Sequence, residues 1–260
     1  MMEILKLGGS VVTKKDQPKT PNVEAIRRLA REVATAGPRK LIVVHGGGSY
    51  GHPLAKEYNI SAGYSTPRQL AGFSLTHQAM VELNKIVVEA FLDAGVPAVS
   101  IAPSSFIVTE DRRIIELDTS VVSKAIESNF VPILYGDAVL DSVRRFTILS
   151  GDQLAVRLAT ELGAEKLIFG VDVDGVYTAN PKLAKDARLI EELSLSHMKG
   201  MVRIGEALST DVTGGMLGKV NEAAAAVEAG VEVQLLNALE PDAVNAALRG
   251  EKIPCTRLRR

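Results

Sequence analysis

Short β-branched runs alternate along the chain with longer amphipathic or Ala-rich segments. Residues 4–7 and 41–44 are short runs dominated by large apolar residues. Each leads into glycines, Gly8-Gly9 in one case and Gly46-Gly47-Gly48 in the other. Such runs predict strands buried on both faces. Residues 22–36 predict a helix, because Val23, Ile26, Leu29, Ala30 and Val33 recur at spacings of three and four. Gly37-Pro38 stops it. A long helix is predicted over 69–94, with a break inside it. Strands are predicted at 98–102 and 106–109, and Asp111-Arg112-Arg113 reads as a hairpin turn before Ile114 and Ile115. A helix over 119–128 and a strand over 131–135 follow, then a β-ribbon pairing 139–140 with 146–149. The remainder predicts a helix at 152–162, a strand at 166–169, a helix at 217–229, a strand at 231–236 and a helix at 241–248. Residues 257–260 read as solvated surface. Repeated strand–helix alternation implies a mostly parallel sheet covered by helices on both faces. A soft boundary near 150–165 separates two halves that need not fold independently.

Composition narrows the function classes. The 260 residues carry 30 Lys and Arg against 31 Asp and Glu, a net charge of −1. That balance argues against a general nucleic-acid binder. Aromatic residues are only 4%, with no Trp, which leaves little for base stacking. A single cysteine, Cys255, excludes an internal disulfide framework and argues against a cysteine zinc site. No run is long and apolar enough to span a membrane, and no signal peptide opens the chain, so a cytoplasmic location is expected.

Four glycine-rich turns carry the chemistry: Lys6-Leu7-Gly8-Gly9-Ser10, His45-Gly46-Gly47-Gly48-Ser49, Ser150-Gly151-Asp152 and Thr213-Gly214-Gly215. In an open parallel sheet, loops at the strand carboxyl ends form the ligand crevice. Glycine lets the backbone approach a ligand, and N–H groups at a helix start attract phosphate. Each turn alone also reads as a tight strand-to-helix connection. The chain has no Gly-x-x-x-x-Gly-Lys-Ser/Thr loop. Gly46 to Gly51 fits the bare Gly-x-Gly-x-x-Gly pattern but lacks the acidic ribose partner some 20 residues on.

Cations flank these turns. Lys6, between Leu5 and Leu7 on a buried strand, needs a partner or a function. Lys14 and Lys15 follow in the next loop, and Lys219 opens the Ala-rich helix. His52 ends the second glycine loop, where imidazole can hydrogen-bond a phosphate. His45 reads as structural, and His77 and His197 carry no local pattern. Asp152 is either a helix cap or a carboxylate that orients the lysines. Over residues 172–182, the functional reading has Tyr177 flanking an adenine and Lys182 reaching a phosphate or ribose. Donors and cations converging on transferring oxygens are what phosphoryl transfer needs. Phe73 and Met80 are candidates for lining an apolar slot, with core packing as the plainer alternative for each.

Together the motifs resemble the amino acid kinase superfamily. The matching pieces are Lys-Leu-Gly-Gly-Ser at 6–10, Val-His-Gly-Gly-Gly at 44–48, Ser-Gly-Asp-Gln-Leu-Ala at 150–155, Val-Asp-Gly-Val-Tyr-Thr at 173–178 and Thr-Gly-Gly-Met-Leu-Gly-Lys at 213–219. Within it, Gly-Gly-Ser-Val-Val-Thr-Lys-Lys at 8–15 and Gly-Gly-Gly-Ser-Tyr-Gly-His at 46–52 resemble the isopentenyl phosphate kinase branch. Carboxylate-acting and UMP-acting branches generally lack a histidine at the position of His52.

The resemblance implies a three-layer αβα sandwich with one continuous sheet. Residues 1–160 would bind the acceptor and 161–260 would bind ATP. The reaction implied is transfer from ATP, with Mg²⁺, to isopentenyl phosphate in a cytoplasmic homodimer. Lys6, Lys15 and Lys219 would neutralise the transferring phosphoryl group, and Asp152 would organise them. Gly8, Gly9, Ser10, Gly47 and Gly48 would supply donors around the phosphates. His52 would bind the acceptor phosphate, with Gly151 close by. Asp172, Tyr177, Lys182 and Gly214 would bind nucleotide. Two departures stand out. Asn180 sits where the family often has Asp, and the adjacency of Lys14 and Lys15 leaves the choice between them open.

Two rivals follow from the same residues. A kinase of this fold for a phosphonate or carboxylate acceptor is one. A carboxylate would need a cation or amide cluster, and residues 53–90 show little such enrichment, with Arg68 the exception. A nucleotide- or oxyanion-binding storage or regulatory protein is the other, though mere binding would not need Lys6, Lys15, Asp152 and Lys219 together.

Overall fold

A computed structural model describes residues 2–37, 40–179, 184, 186–196 and 213–260. Its organising strand is β1 (Glu3–Leu7), fully buried and paired in parallel with β2 (Leu41–His45) on one side and β9 (Lys166–Val171) on the other. Beyond β2 lie β6 (Val131–Tyr135) and β3 (Ala98–Ser100). Beyond β9 lie β11 (Glu232–Asn237), β12 (Thr256–Arg259) and β10 (Glu192–Ser194). The resulting eight-stranded sheet is parallel except that β12 runs against β11 and carries β10 with it.

Alternation along each strand divides the core in two. Ile4, Ile42, Val44, Leu167 and Phe169 pack with residues of α5 (Ser120–Glu127), α6 (Gly151–Glu161) and α7 (Thr213–Glu228). Leu5, Leu7, Val43 and Ile168 pack with α2 (Val23–Ala36), α4 (Arg68–Asp93) and α8 (Ala243–Leu248). This is the expected three-layer sandwich. Asn22 caps α2 by accepting from the Ala25 N–H, and left-handed Gly37 closes it.

A second, four-stranded sheet has the order β5-β4-β7-β8. The hairpin of β4 (Ile107–Glu110) and β5 (Arg113–Leu117) joins the ribbon of β7 (Asp137–Asp141) and β8 (Arg145–Leu149) through a parallel β4–β7 pairing. The sequence predicted both ribbons but not their union.

Two other expectations change, and two short helices join the predicted elements. The helix over 69–94 has no break: α4 runs 26 residues, and Gly72 within it makes room for the Tyr58 ring. The first two glycine turns are helix starts. They open α1 (Gly9–Val12) and α3 (Gly48–Glu57), both too short in apolar periodicity to register in the sequence. Residues 257–260 are not simply solvated surface. Leu258 is buried in β12, and the Arg257 N–H donates to the Glu191 carbonyl.

Candidate active site

Lys6 lies at the carboxyl end of β1, on the face covered by α6 and α7, and is 3% exposed. Its ammonium meets Asp152 Oδ1 at 2.6 Å. The other oxygen of Asp152 accepts from Lys219 Nζ, also at 2.6 Å. Asp152 stands in the first turn of α6 but does not cap it. Ser150 does, accepting from the Asp152 N–H at 3.2 Å. The carboxylate is therefore free to hold two lysines from different elements.

Burial pushes Lys6 down to about 8 against the raising pull of Asp152, with Lys219 adding to the fall. Burial works to raise Asp152, but Lys6 and Lys219 outweigh it and hold the carboxyl below its ordinary range.

The glycine turns meet beside this triad. The Gly46 N–H donates to the Leu7 carbonyl and the Gly136 N–H to the His45 carbonyl. A Cβ on Gly9 would come within 2.7 Å of Gly48 Cα, so the two loops touch through bare backbone. Thr13 ties them together: its hydroxyl donates to the Gly9 carbonyl at 2.7 Å and accepts from the Ser49 N–H at 3.0 Å.

The loops open onto a cavity of about 470 Å³. Lys6, Gly9, Gly47, Gly151, Asp152 and Lys219 line it. His52, on α3, also lines it; burial first, then Lys6 and Lys219, lower its pKa and favour neutral imidazole. Ala55, Met80, Ile148 and Leu149 give the cavity an apolar wall. Met80 Sδ packs where a Cβ on Gly47 or Gly51 would lie, at 2.9 and 2.8 Å.

Phe73 does not reach the cavity wall. It packs in a cluster with Ala55, Ile60 and Phe146 behind it, its ring centroid 5.4 Å from that of Phe146. The sequence pattern gave Phe73 and Met80 the same standing because both fall on an apolar helix. Only the fold separates them.

The other candidates gather at the end of β9. Lys15 pairs with Asp172 at 3.0 Å rather than with Asp152. Burial raises Asp172, yet Lys15 and the Ser10 hydroxyl outweigh it and lower its pKa. The Gly8 N–H donates to the Gly170 carbonyl at 2.8 Å. Tyr177 donates to Asp174 Oδ2 at 2.7 Å, and Asn237 Nδ2 donates to Asp174 Oδ1 at 3.1 Å. A second cavity, of about 350 Å³, opens beside Asp174, Asn237, Pro241 and Ile253. Gly214 is the second residue of α7. Asn180, Lys182 and His197 lie outside the described residues.

Several site residues escaped the sequence reading. Asp137, 1% exposed, lines the cavity and holds the imidazole of His77 at 3.0 Å. That hydrogen bond raises His77, and burial raises Asp137. Asp137 follows Gly136 at a strand end, the same signal that marked the other turns. Arg112 and Glu222 also line the cavity, from the β4–β5 turn and from α7.

The profile of the amino acid kinase family matches residues 1–237. The chain belongs to the amino acid kinase family. Among members of this family, it is 43% identical to the isopentenyl phosphate kinase of Methanothermobacter thermautotrophicus, over 99% of this chain and 98% of that one. An isopentenyl phosphate kinase crystal structure superposes with a TM-score of 0.87 at 40% identity, covering 99% of this amino acid kinase and 100% of that chain. The product complex of the T. acidophilum isopentenyl phosphate kinase superposes at 0.81 with 28% identity, over the whole of both chains.

Proposed function

We propose that this amino acid kinase transfers the γ-phosphoryl group of ATP to isopentenyl phosphate, giving isopentenyl diphosphate and ADP. The observation that carries the reading is one cavity that joins a lysine–carboxylate–lysine array to a histidine and an apolar wall. The full-length likeness to isopentenyl phosphate kinases supports it.

In this reading an oxygen of the acceptor phosphate attacks the γ-phosphorus. The bond from that phosphorus to the β–γ bridging oxygen breaks, and ADP departs with the electron pair. The acceptor is already an oxyanion, so no general base is required. Lys6 and Lys219 stabilise charge on the transferring oxygens, and Asp152 fixes both ammoniums in place. Gly9, Gly47, Gly48 and Gly151 let backbone donors approach the phosphates. His52 hydrogen-bonds the acceptor phosphate, while Met80 and its apolar neighbours receive the five-carbon tail.

Residues 1–160 supply the acceptor side and 161–260 the nucleotide side. Asp172, Tyr177, Lys182 and Gly214, with Gly8 and Ser10, contribute to the nucleotide side, and Lys15 reaches the γ-phosphate end from Asp172. Mg²⁺ shields the phosphate charges when bound. Among the described residues no group of three His, Cys, Asp or Glu could cage it. In this reading the ion would be held mainly by ATP oxygens and water, the usual ligands of Mg²⁺. The enzyme works as a homodimer in the cytoplasm; light scattering on the purified protein checks the first. Among the described residues no helix is long and apolar enough to cross a membrane.

The test is an ADP-release assay with Mg-ATP against isopentenyl phosphate, dimethylallyl phosphate, fosfomycin, acetylglutamate, glutamate, aspartate and UMP. Fastest turnover of isopentenyl phosphate supports the reading. Preference for a carboxylate, UMP or a phosphonate overturns the acceptor assignment.

A further inference from the structure

The β4–β5 turn brings a third cation to the cavity. Glu110 pairs with Arg113, so Asp111 and Arg112 are the two turn residues. Both have positive φ, 44° and 72°. A two-residue turn of this hand favours Asn or Asp followed by Gly. Arginine in the second place adopts a conformation that disfavours any side chain larger than glycine's hydrogen. A strained residue at a cavity wall is a starting point for a functional hypothesis.

The surroundings hold this turn firmly. Gln153, 5% exposed and next to Asp152, turns both its amide oxygen and its amide nitrogen to the hairpin backbone. Its Oε1 accepts from the Ile114 N–H at 2.8 Å and its Nε2 donates to the Arg112 carbonyl at 3.1 Å. Asp141 accepts from the N–H groups of Asp111 and Arg112 at 3.2 and 2.9 Å. Arg113 reaches across to both oxygens of Glu222, one helical turn after Lys219. Asp111 is occupied by Arg144 at 2.6 Å.

These pairings leave one group over. Among the described residues the Arg112 guanidinium has no ion-pair or hydrogen-bond partner, although Arg112 lines the cavity with Lys6 and Lys219. Glu222, a carboxylate of the same wall, is already paired with Arg113. The triad itself sets two ammoniums against one carboxylate, a single net positive charge for a site that must hold several phosphates. We propose that Arg112 is a further phosphate-binding residue of the transfer site, presented by a turn that Gln153, Asp141 and the Arg113–Glu222 pair hold in a strained conformation. Gln153, part of a sequence motif with no role assigned above, is then a positioning residue for that turn. The inference rests on the transfer reading and adds a residue to it.

Arg112→Gly separates function from structure, since glycine relieves the turn while removing the cation. The expected result is kcat/KM for isopentenyl phosphate lower by about 10- to 100-fold, with Tm unchanged or raised. Arg112→Lys, which keeps the charge and the strain, should stay within about tenfold of the wild type. Unchanged kinetic constants in Arg112→Gly overturn the proposal. So does a joint loss of Tm and activity in both variants. If the wild type does not turn over isopentenyl phosphate, the transfer reading falls by itself. Thermal stabilisation by inorganic pyrophosphate then decides for Arg112: reduced in Arg112→Gly supports the site, and equal in both proteins overturns it.

Discussion

Asp152 has two oxygens and gives one to each lysine, so its removal acts on both. Asp152→Asn takes away the charge that offsets burial at Lys6. We expect kcat to fall by about a hundredfold, the scale for losing preorganised charge at a transfer site. The wild type itself carries a pH signature. Lys6 is held near 8, so kcat/KM, which reports the free enzyme, should fall as pH rises through about 8. Bound phosphates favour the ammonium, so the same limb in kcat should lie at higher pH. In Asp152→Asn the limb in kcat/KM should move below 8, because the group that raised Lys6 is gone. A limb that stays put in the variant would show that another group titrates. Stability runs the opposite way: the unfolded chain binds the Lys6 proton more tightly, so this group's contribution to stability rises from pH 8 toward 10.5.

At the scale of elements, the glycine loops differ in what they touch. A side chain on Gly9 meets the backbone of Gly48, which cannot move aside. One on Gly51 meets the end of the Met80 side chain, which can. Gly9→Ala should therefore lower Tm by more than Gly51→Ala, and differential scanning calorimetry on the two variants checks the order. The sequence made the loops legible, because glycine clusters at strand ends are visible without a fold. It made Lys6 legible too, since an ammonium in a buried strand demands a partner. The partner's geometry was less visible. Lys15 looked equivalent to Lys6 and Lys219, yet Asp152 spends its two oxygens on Lys6 and Lys219, and Asp172 takes Lys15 instead. The β4–β7 pairing stayed hidden because it joins strands some thirty residues apart without a local turn signal.

At the scale of the molecule, β12 is the largest departure from the sequence reading. Its alternation of Arg257, Leu258 and Arg259 is a strand pattern, but four residues at a charged chain end gave it little weight. The strand does more than fill an edge. The Thr256 hydroxyl accepts from the Val176 N–H at 2.8 Å and donates to the Ile190 carbonyl at 2.7 Å. It thus holds the segment between Asp172 and Tyr177. Thr256→Val keeps the volume and leaves both backbone groups unpaired. Unfolding should become easier by about 1–3 kcal/mol. KM for ATP should rise severalfold while KM for isopentenyl phosphate stays near the wild-type value. Equal changes in both would count against the proposed nucleotide role of the segment this strand holds.

The central position of β1 has a consequence for how the enzyme breathes. The strand bonds to β2 on one edge and β9 on the other, so the two halves share one uninterrupted ladder. Swinging them apart would shear that ladder at the strand that bears Lys6. The floor of the site is therefore expected to stay in place as substrates enter. The scattering radius of the particle should barely change on ligand binding, and the amide protons of β1 should be among the last to exchange, occupied or empty.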